Sequence, residues 1–315
     1  MISGSTSHRP FNEEEWKAFF EKIFEAKGKS FAEIWPKSKP PITRLDFEDD
    51  HEKKRLIGKG KFAEVYMANS KILNEDVALK IMDKRKISSE NYLKKIRIER
   101  RMLESLSFPN ILECYLTYQT PMKCVIVLEY APGGDLFNLI MQNKKLVSAH
   151  CPFYAAQLVI TLEYLHSLDI MYRDLKPENC LLCSNGYIKL TDFSTARIYP
   201  ERLRRELTKC SSPMYGAPEF FIVPRKYDHK VDWWSLGVLI YLMNAGFYPY
   251  TCPEDQILLF QKRGMSFPTH FSNRTTDLIN NLCRYDPVYR YTAGETKKHE
   301  FFNLINWIRL YKQDC

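Results

Sequence analysis

The stretch Tyr172-Arg173-Asp174-Leu175-Lys176-Pro177-Glu178-Asn179, followed thirteen residues after Asn179 by Asp192-Phe193-Ser194, decides how this chain is read. Pro177 makes the first segment a loop. That loop carries a hydroxyl-proton acceptor at Asp174, a phosphate-binding cation at Lys176 and a metal-binding amide at Asn179. Asp192 follows the strand-like run Tyr187-Ile188-Lys189-Leu190-Thr191 and adds a carboxylate of the kind that holds Mg²⁺. An ordinary solvated loop does not account for these residue types at these offsets.

Toward the N-terminus, Gly58-Lys59-Gly60-Lys61-Phe62-Ala63-Glu64-Val65 is a glycine turn between strands, where exposed backbone N–H groups can approach phosphates. Taken alone it reads equally well as a hairpin with glycines at positive φ. Lys80 closes the apolar strand Val77-Ala78-Leu79, where a lone cation can hold phosphate oxygens; a surface lysine is the plain alternative. Glu99 falls within a helix over 96–106, on the side that can pair with Lys80, or it is a solvated charge among its basic neighbours. Toward the C-terminus come Ala217-Pro218-Glu219, then Asp232-Trp233-Trp234-Ser235-Leu236-Gly237. A late Arg290 is placed to form a buried pair with Glu219.

The 315 residues are 45% hydrophobic and 14% aromatic, enough for one large core or two lobes. The net charge of +8 is dispersed among 38 acidic residues and forms no basic block, which argues against nucleic acid as partner. Nine cysteines at irregular spacing read as reduced intracellular thiols. The most apolar run, 236–243, is too short to span a membrane. Residues 12–35 place Trp16, Phe19, Phe20, Ile23, Phe24, Phe31 and Trp35 at helical spacing, an amphipathic helix in need of a surface. Residues 54–82 change to short β-like runs, and helical patterns follow at 92–106, 148–168, 231–246, 254–263 and 275–284.

In this order and spacing the segments resemble the eukaryotic protein kinases over roughly residues 12–311. More narrowly they resemble the AGC group and, within it, the cyclic-AMP-dependent catalytic subunits. Leu106-Ser107-Phe108-Pro109, Leu128-Glu129-Tyr130-Ala131-Pro132-Gly133-Gly134-Asp135, Phe267-Pro268-Thr269-His270-Phe271 and Ile305-Asn306-Trp307 carry that likeness. The resemblance implies an α+β, two-lobed fold. Its expected segments are a polar leader (1–11), an amphipathic helix and linker (12–53), a small β-rich lobe with one key helix (54–131), a larger α-rich lobe (132–311) and the last residues (312–315).

For the site, the resemblance implies that Lys80 holds the α- and β-phosphates of ATP and is oriented by Glu99, while Asp192 and Asn179 hold two Mg²⁺ ions. Asp174 accepts the substrate proton. Lys176 neutralises the γ-phosphate, and its place two residues after Asp174 is the Ser/Thr-kinase arrangement. Ile57, Gly58, Gly60, Val65, Ala78, Leu128, Ala131, Leu181 and Thr191 match nucleotide-side positions, with Glu129 and Ala131 offering backbone hydrogen bonds. For any one of them core packing is the alternative. Asp135 and Glu178, grouped with that cleft, match carboxylates that receive arginines upstream of the phosphorylated residue. Thr208 falls at the activating phosphothreonine, Arg173, Arg197 and Lys95 at its phosphate cage, and Ser212 in the substrate-facing loop. The implied partners are a basic protein or peptide substrate and a regulatory subunit or pseudosubstrate inhibitor. The expected form is a monomeric chain in the cytoplasm and nucleus.

The chain departs from the pattern in several places. Ala63 stands for the third glycine of the turn, Ser194 for the glycine after Asp192-Phe193, and Ser211 and Ser212 for Gly and Thr. Met214 and Leu242 replace two acidic positions, which weakens recognition of a second arginine. Leu207 replaces a Trp that a regulatory subunit covers, and the family's C-terminal tail is expected to be missing after Trp307. These departures motivate a second expectation, a catalytically weak scaffold that keeps the fold.

Overall fold

The computed structural model describes residues 51–60, 63–87, 90–198, 212–222, 227–250 and 264–314. The expected amphipathic helix at 12–35, the helical pattern at 254–263 and Thr208 lie outside the described residues. All described residues belong to one compact unit, Lys39–Cys315.

Five strands make one antiparallel sheet: β1 (His51–Lys59), β2 (Ala63–Ser70), β3 (Glu75–Asp83), β4 (Cys114–Gln119) and β5 (Lys123–Glu129). Their order across the sheet is β1-β2-β3-β5-β4. Side chains on a strand alternate between faces. One face gathers Ala68, Val77, Leu79, Val125 and Val127 into a buried cluster, with Tyr66, Ile81 and Tyr118 packed on it. The opposite face is left to the cleft. Helix α1 (Glu90–Ser105) joins β3 to β4 and buries Glu99, Met102 and Leu103.

The second lobe is mostly helical: α2 (Leu136–Gln142), α3 (His150–Ser167), α4 (Lys230–Ala245), α5 (Asn273–Leu282), α6 (Ala293–Lys298) and α7 (Trp307–Lys312). Every residue of α4 from Val231 to Ala245 is buried. A helix apolar all round belongs in a core, and α4 is the pillar against which the site loops rest. Gly246 caps it at φ 80°, where a Cβ would lie 1.6 Å from the Lys144 carbonyl oxygen. A Cβ on Gly237 would lie 2.5 Å from Cys283 Sγ, so this glycine sets how closely α4 and α5 approach.

Between these helices run short strands. β7 (Cys180–Leu182) pairs with β8 (Ile188–Leu190), and β6 (Ile170–Met171) pairs with β9 (Arg197–Ile198). They frame both chemistry-bearing loops. No helix among the described residues is long and apolar enough to cross a membrane.

Candidate active site

The cleft between sheet and helical lobe has a volume of 620 Å³. Its roof is the facing ends of β1 and β2, Arg55 to Gly58 and Val65, and the strands are joined where Gly60 N–H donates to the Ala63 carbonyl at 2.8 Å. Positive φ occurs at Gly134, Gly186, Gly246 and Gly264 among the described glycines, so Gly58 and Gly60 are not required by backbone conformation. Gly58 lines the cleft, where the missing side chain leaves backbone open to a ligand. Ala63 pairs with Met82 in regular β2–β3 register, so the missing third glycine costs no pairing. Ile57, Val65, Ala78, Leu128, Ala131, Leu181 and Thr191 line the cleft with Glu129, Asp135, Glu178 and Asn179, as expected; Gly60 does not.

Lys80 stands opposite Val65 and Ile126 in β3 and enters the same cleft. Its Nζ donates to Glu99 Oε1 from α1, joining sheet and helix. Burial alone would lower the Lys80 pKa, but the carboxylates of Glu99 and Asp192 outweigh it and hold the pKa above the ordinary lysine value. Lys80 therefore stays charged at neutral pH. Burial would raise the pKa of Asp192, yet Lys80 and hydrogen bonds from Ser194 bring it below the usual carboxylate value. The result is a cation and an anion kept ionised together in a half-enclosed space.

Two non-glycine residues in the site loops lie in the left-handed region, Arg173 at φ 70° and Asp192 at φ 54°. Such residues cost about 1–3 kcal/mol each and persist only where their surroundings determine them. For Arg173 the determinant is Asp232, fully buried at the start of α4, whose carboxylate accepts from Tyr172 N at 2.9 Å and Arg173 N at 2.7 Å. His166 Nε2 meets the same carboxylate at 2.8 Å. Arg173 Nε donates to the Thr195 carbonyl at 2.7 Å, and Tyr172 hydroxyl donates to the Thr191 carbonyl, so the two loops are tied on either side of Asp192. Ser194 is not among the left-handed residues, which settles its replacement of glycine without strain.

The Asp174 carboxylate accepts four hydrogen bonds from three residues. Its Oδ2 accepts from Lys176 Nζ at 2.8 Å and Asn179 Nδ2 at 3.3 Å, and its Oδ1 from Ser212 N at 3.1 Å and Ser212 Oγ at 3.2 Å. Lys176 Nζ also donates to Ser212 Oγ at 3.1 Å. Acceptor, cation and substrate-loop serine thus form one hydrogen-bonded group. Asn179 Nδ2 further donates to the Asp174 carbonyl at 2.9 Å, so its amide oxygen is the atom that would hold a cation.

Other sequence candidates are only partly assembled. Arg173 NH1 donates to Tyr227 hydroxyl at 2.9 Å, Arg197 lies in β9 and Lys95 is exposed on α1, but Thr208, which they would cage, lies outside the described residues. Asp135 caps α2, accepting from Asn138 N and Nδ2 at 2.8 Å each. Glu178 is left more open, and burial lifts its pKa, against the lowering by a backbone hydrogen bond and Lys176 and with a smaller rise from Asp174 and Asp135. The sequence reading missed Arg55, Leu112, Tyr130 and Pro132, all of which line the cleft. Nothing local marks them: Arg55 meets Tyr130 across 75 residues of chain.

A family model described as protein kinase domain matches residues 51–302. The cAMP-dependent protein kinase type 3 of Saccharomyces cerevisiae is 37% identical over 265 residues, 81% of this chain and 65% of the relative. The cAMP-dependent protein kinase catalytic subunit of Dictyostelium discoideum is 33% identical over 282 residues, 87% of this chain and 43% of the relative. Human serine/threonine-protein kinase Sgk1 is 36% identical over 284 residues, 87% of this chain and 64% of the relative. The chain therefore spans less than two thirds of the length of each of these relatives.

Proposed function

This chain belongs to the protein kinase domain family, and from that membership we propose that it transfers the γ-phosphoryl group of ATP to Ser or Thr hydroxyls of proteins with basic residues upstream of the acceptor. The observation that carries the reading is that Asn179, bonded to Asp174 within the Asp174–Lys176–Asn179–Ser212 group, lines the same cleft as Asp192 and as Lys80, which is paired with Glu99.

In this reading Lys80, held by Glu99, neutralises phosphate oxygens, and the glycine turn lays its backbone over them. Ile57, Val65, Ala78, Leu128 and Leu181 enclose the base. Asp174 accepts the proton of the incoming hydroxyl, and Lys176, placed 2.8 Å from it, offsets charge on the transferring group. The donor set suits Mg²⁺, which takes one or two carboxylates and completes its shell with water and phosphate oxygens. The described residues contain no cluster of three His, Cys, Asp or Glu that would favour a cation held by protein alone. Asp192 and the Asn179 amide oxygen would hold two such ions, which when bound offset negative charge on the phosphates.

The basic-substrate preference rests on Glu178. An exposed carboxylate at the edge of the cleft, its pKa raised chiefly by burial, is one that an arriving guanidinium relieves. Asp135 has part of its capacity committed to the helix cap, and Leu242 is fully buried within α4. A serine peptide with an upstream arginine is expected to be phosphorylated with Mg²⁺ and ATP, and Arg→Ala in the peptide raises its KM about tenfold. Glu178→Gln abolishes that distinction. Equal use of both peptides would remove the basic preference. No transfer to any of a broad peptide set would remove the kinase reading and favour a scaffold.

Thr208 is proposed as an activating phosphosite, with Arg173, Arg197 and Lys95 as its cage. Thr208→Ala is expected to lower activity at least tenfold, and unchanged turnover in that variant would exclude the role. The lobe division near 131, a monomeric state, a regulatory subunit or pseudosubstrate inhibitor as partner, and residence in cytoplasm and nucleus complete the proposal. The cAMP-dependent relatives motivate that partner.

A further inference from the structure

We propose that Arg55 and Tyr130 form a strap over the outer mouth of the cleft that sets how long a nucleotide stays bound. The inference rests on the nucleotide-binding reading above. Arg55 belongs to β1 and Tyr130 directly follows β5, and the Arg55 guanidinium donates to Tyr130 hydroxyl at 3.3 Å. Both residues line the cleft.

The need for a strap follows from the roof. Among the described residues β1 is the edge strand of the sheet and pairs with β2 alone, so its cleft end has one strand neighbour there. That end runs into Gly58 and Gly60, which add little stiffness. Its register breaks twice, between Lys53 and Arg55 and between Leu56 and Gly58. Bulges of this kind bend a strand and re-aim its side chains, and here Arg55, Leu56 and Ile57 all border the cleft, which strict alternation would prevent. Leu56 is 45% exposed and Ile57 39%, an apolar pair at the mouth that a flat base would cover. The strap ties this bulged strand to the segment below.

Tyr130 is a firm anchor because the residue before it is held from behind. Glu129 Oε2 accepts from Lys189 Nζ of β8 at 2.6 Å and from Glu113 N at 3.3 Å, while Glu129 N donates to the Glu113 carbonyl at 2.9 Å. Lys189 belongs to the helical lobe's β7–β8 hairpin, so the post is fixed to the floor of the cleft. Arg55 therefore links roof to floor through Tyr130, Glu129 and Lys189, and its bond must break for the roof to lift.

The test is stopped-flow release of a fluorescent ADP with Mg²⁺ from the full chain. Arg55→Ala and Tyr130→Phe are each expected to raise the release rate about fivefold while association is unchanged. Because both variants remove the same bond, the double variant should release no faster than the singles. Arg55→Lys, which keeps a cation but loses the planar fork, should fall between wild type and Arg55→Ala. In steady state the KM for ATP rises and the KM for peptide does not. Release rates equal to wild type, or strictly additive effects, would overturn the strap while leaving nucleotide binding intact. Failure of the wild-type chain to bind the nucleotide would instead overturn the kinase reading, and the strap with it.

Discussion

Asp174→Asn is expected to lower phosphoryl transfer by about a hundred- to ten-thousandfold while nucleotide affinity stays within about twofold of wild type. The split follows from position. Asp174 does not line the nucleotide cleft, whereas Lys80, Asn179 and Asp192 do. The amide keeps the shape of the carboxylate and its contact with Ser212, but it no longer takes a proton and no longer balances Lys176, 2.8 Å away. Single-turnover transfer to a serine peptide, set beside calorimetric binding of ADP with Mg²⁺, reads both quantities. A variant that retained transfer within fivefold of wild type would show that Asp174 is not the proton acceptor.

The second large effect concerns stability. Arg290 is 3% exposed and grips Glu219 through two bonds, NH1 to Oε1 at 2.6 Å and NH2 to Oε2 at 3.1 Å. It also donates to the Lys230 carbonyl at 2.9 Å and the Arg284 carbonyl at 3.0 Å, and its guanidinium lies 5.2 Å from the Trp234 ring centroid. Removing one partner of a buried pair leaves the other charged and desolvated. Arg290→Ala is therefore expected to cost about 3–5 kcal/mol, read as a fall in the denaturation midpoint with the slope unchanged. Arg290→Lys should recover only part of this, because an ammonium cannot make the planar double contact. A loss below about 1 kcal/mol for Arg290→Ala would mean that the pair carries little stability.

Much of this site was legible in the sequence because its chemistry is written locally. Asp174, Lys176 and Asn179 lie within six positions and converge in one hydrogen-bonded group. The helical patterns at 148–168, 231–246 and 275–284 correspond to α3, α4 and α5, since a helix repeats every 3.6 residues and its ends carry their own signals. Ser272 supplies such a signal by accepting from Thr275 N at 3.2 Å. The sequence offers Lys80–Glu99, with a surface lysine and a solvated charge as the plain alternatives, and Glu219–Arg290, and both pairs form. The fate of Ser194 was not legible. A serine is strained only if the backbone turns left-handed at that residue, and here the left-handed turn falls two residues earlier, at Asp192.

By itself, then, the sequence determined the chemical inventory and the change from a β-rich to an α-rich part, because these follow from residue type and period, while the residues bordering the cleft came from the family resemblance, which left out Arg55, Leu112, Tyr130 and Pro132. Tertiary structure alone decided how that inventory is held in place. Asp232 holds the backbone of Tyr172 and Arg173 from 60 and 59 residues away, Lys189 holds Glu129 across 60, and Arg55 reaches Tyr130 across 75. Such bonds depend on how strands and helices stack after collapse, and nothing beside Arg55 or Lys189 in the chain marks the partner that packing will bring to it.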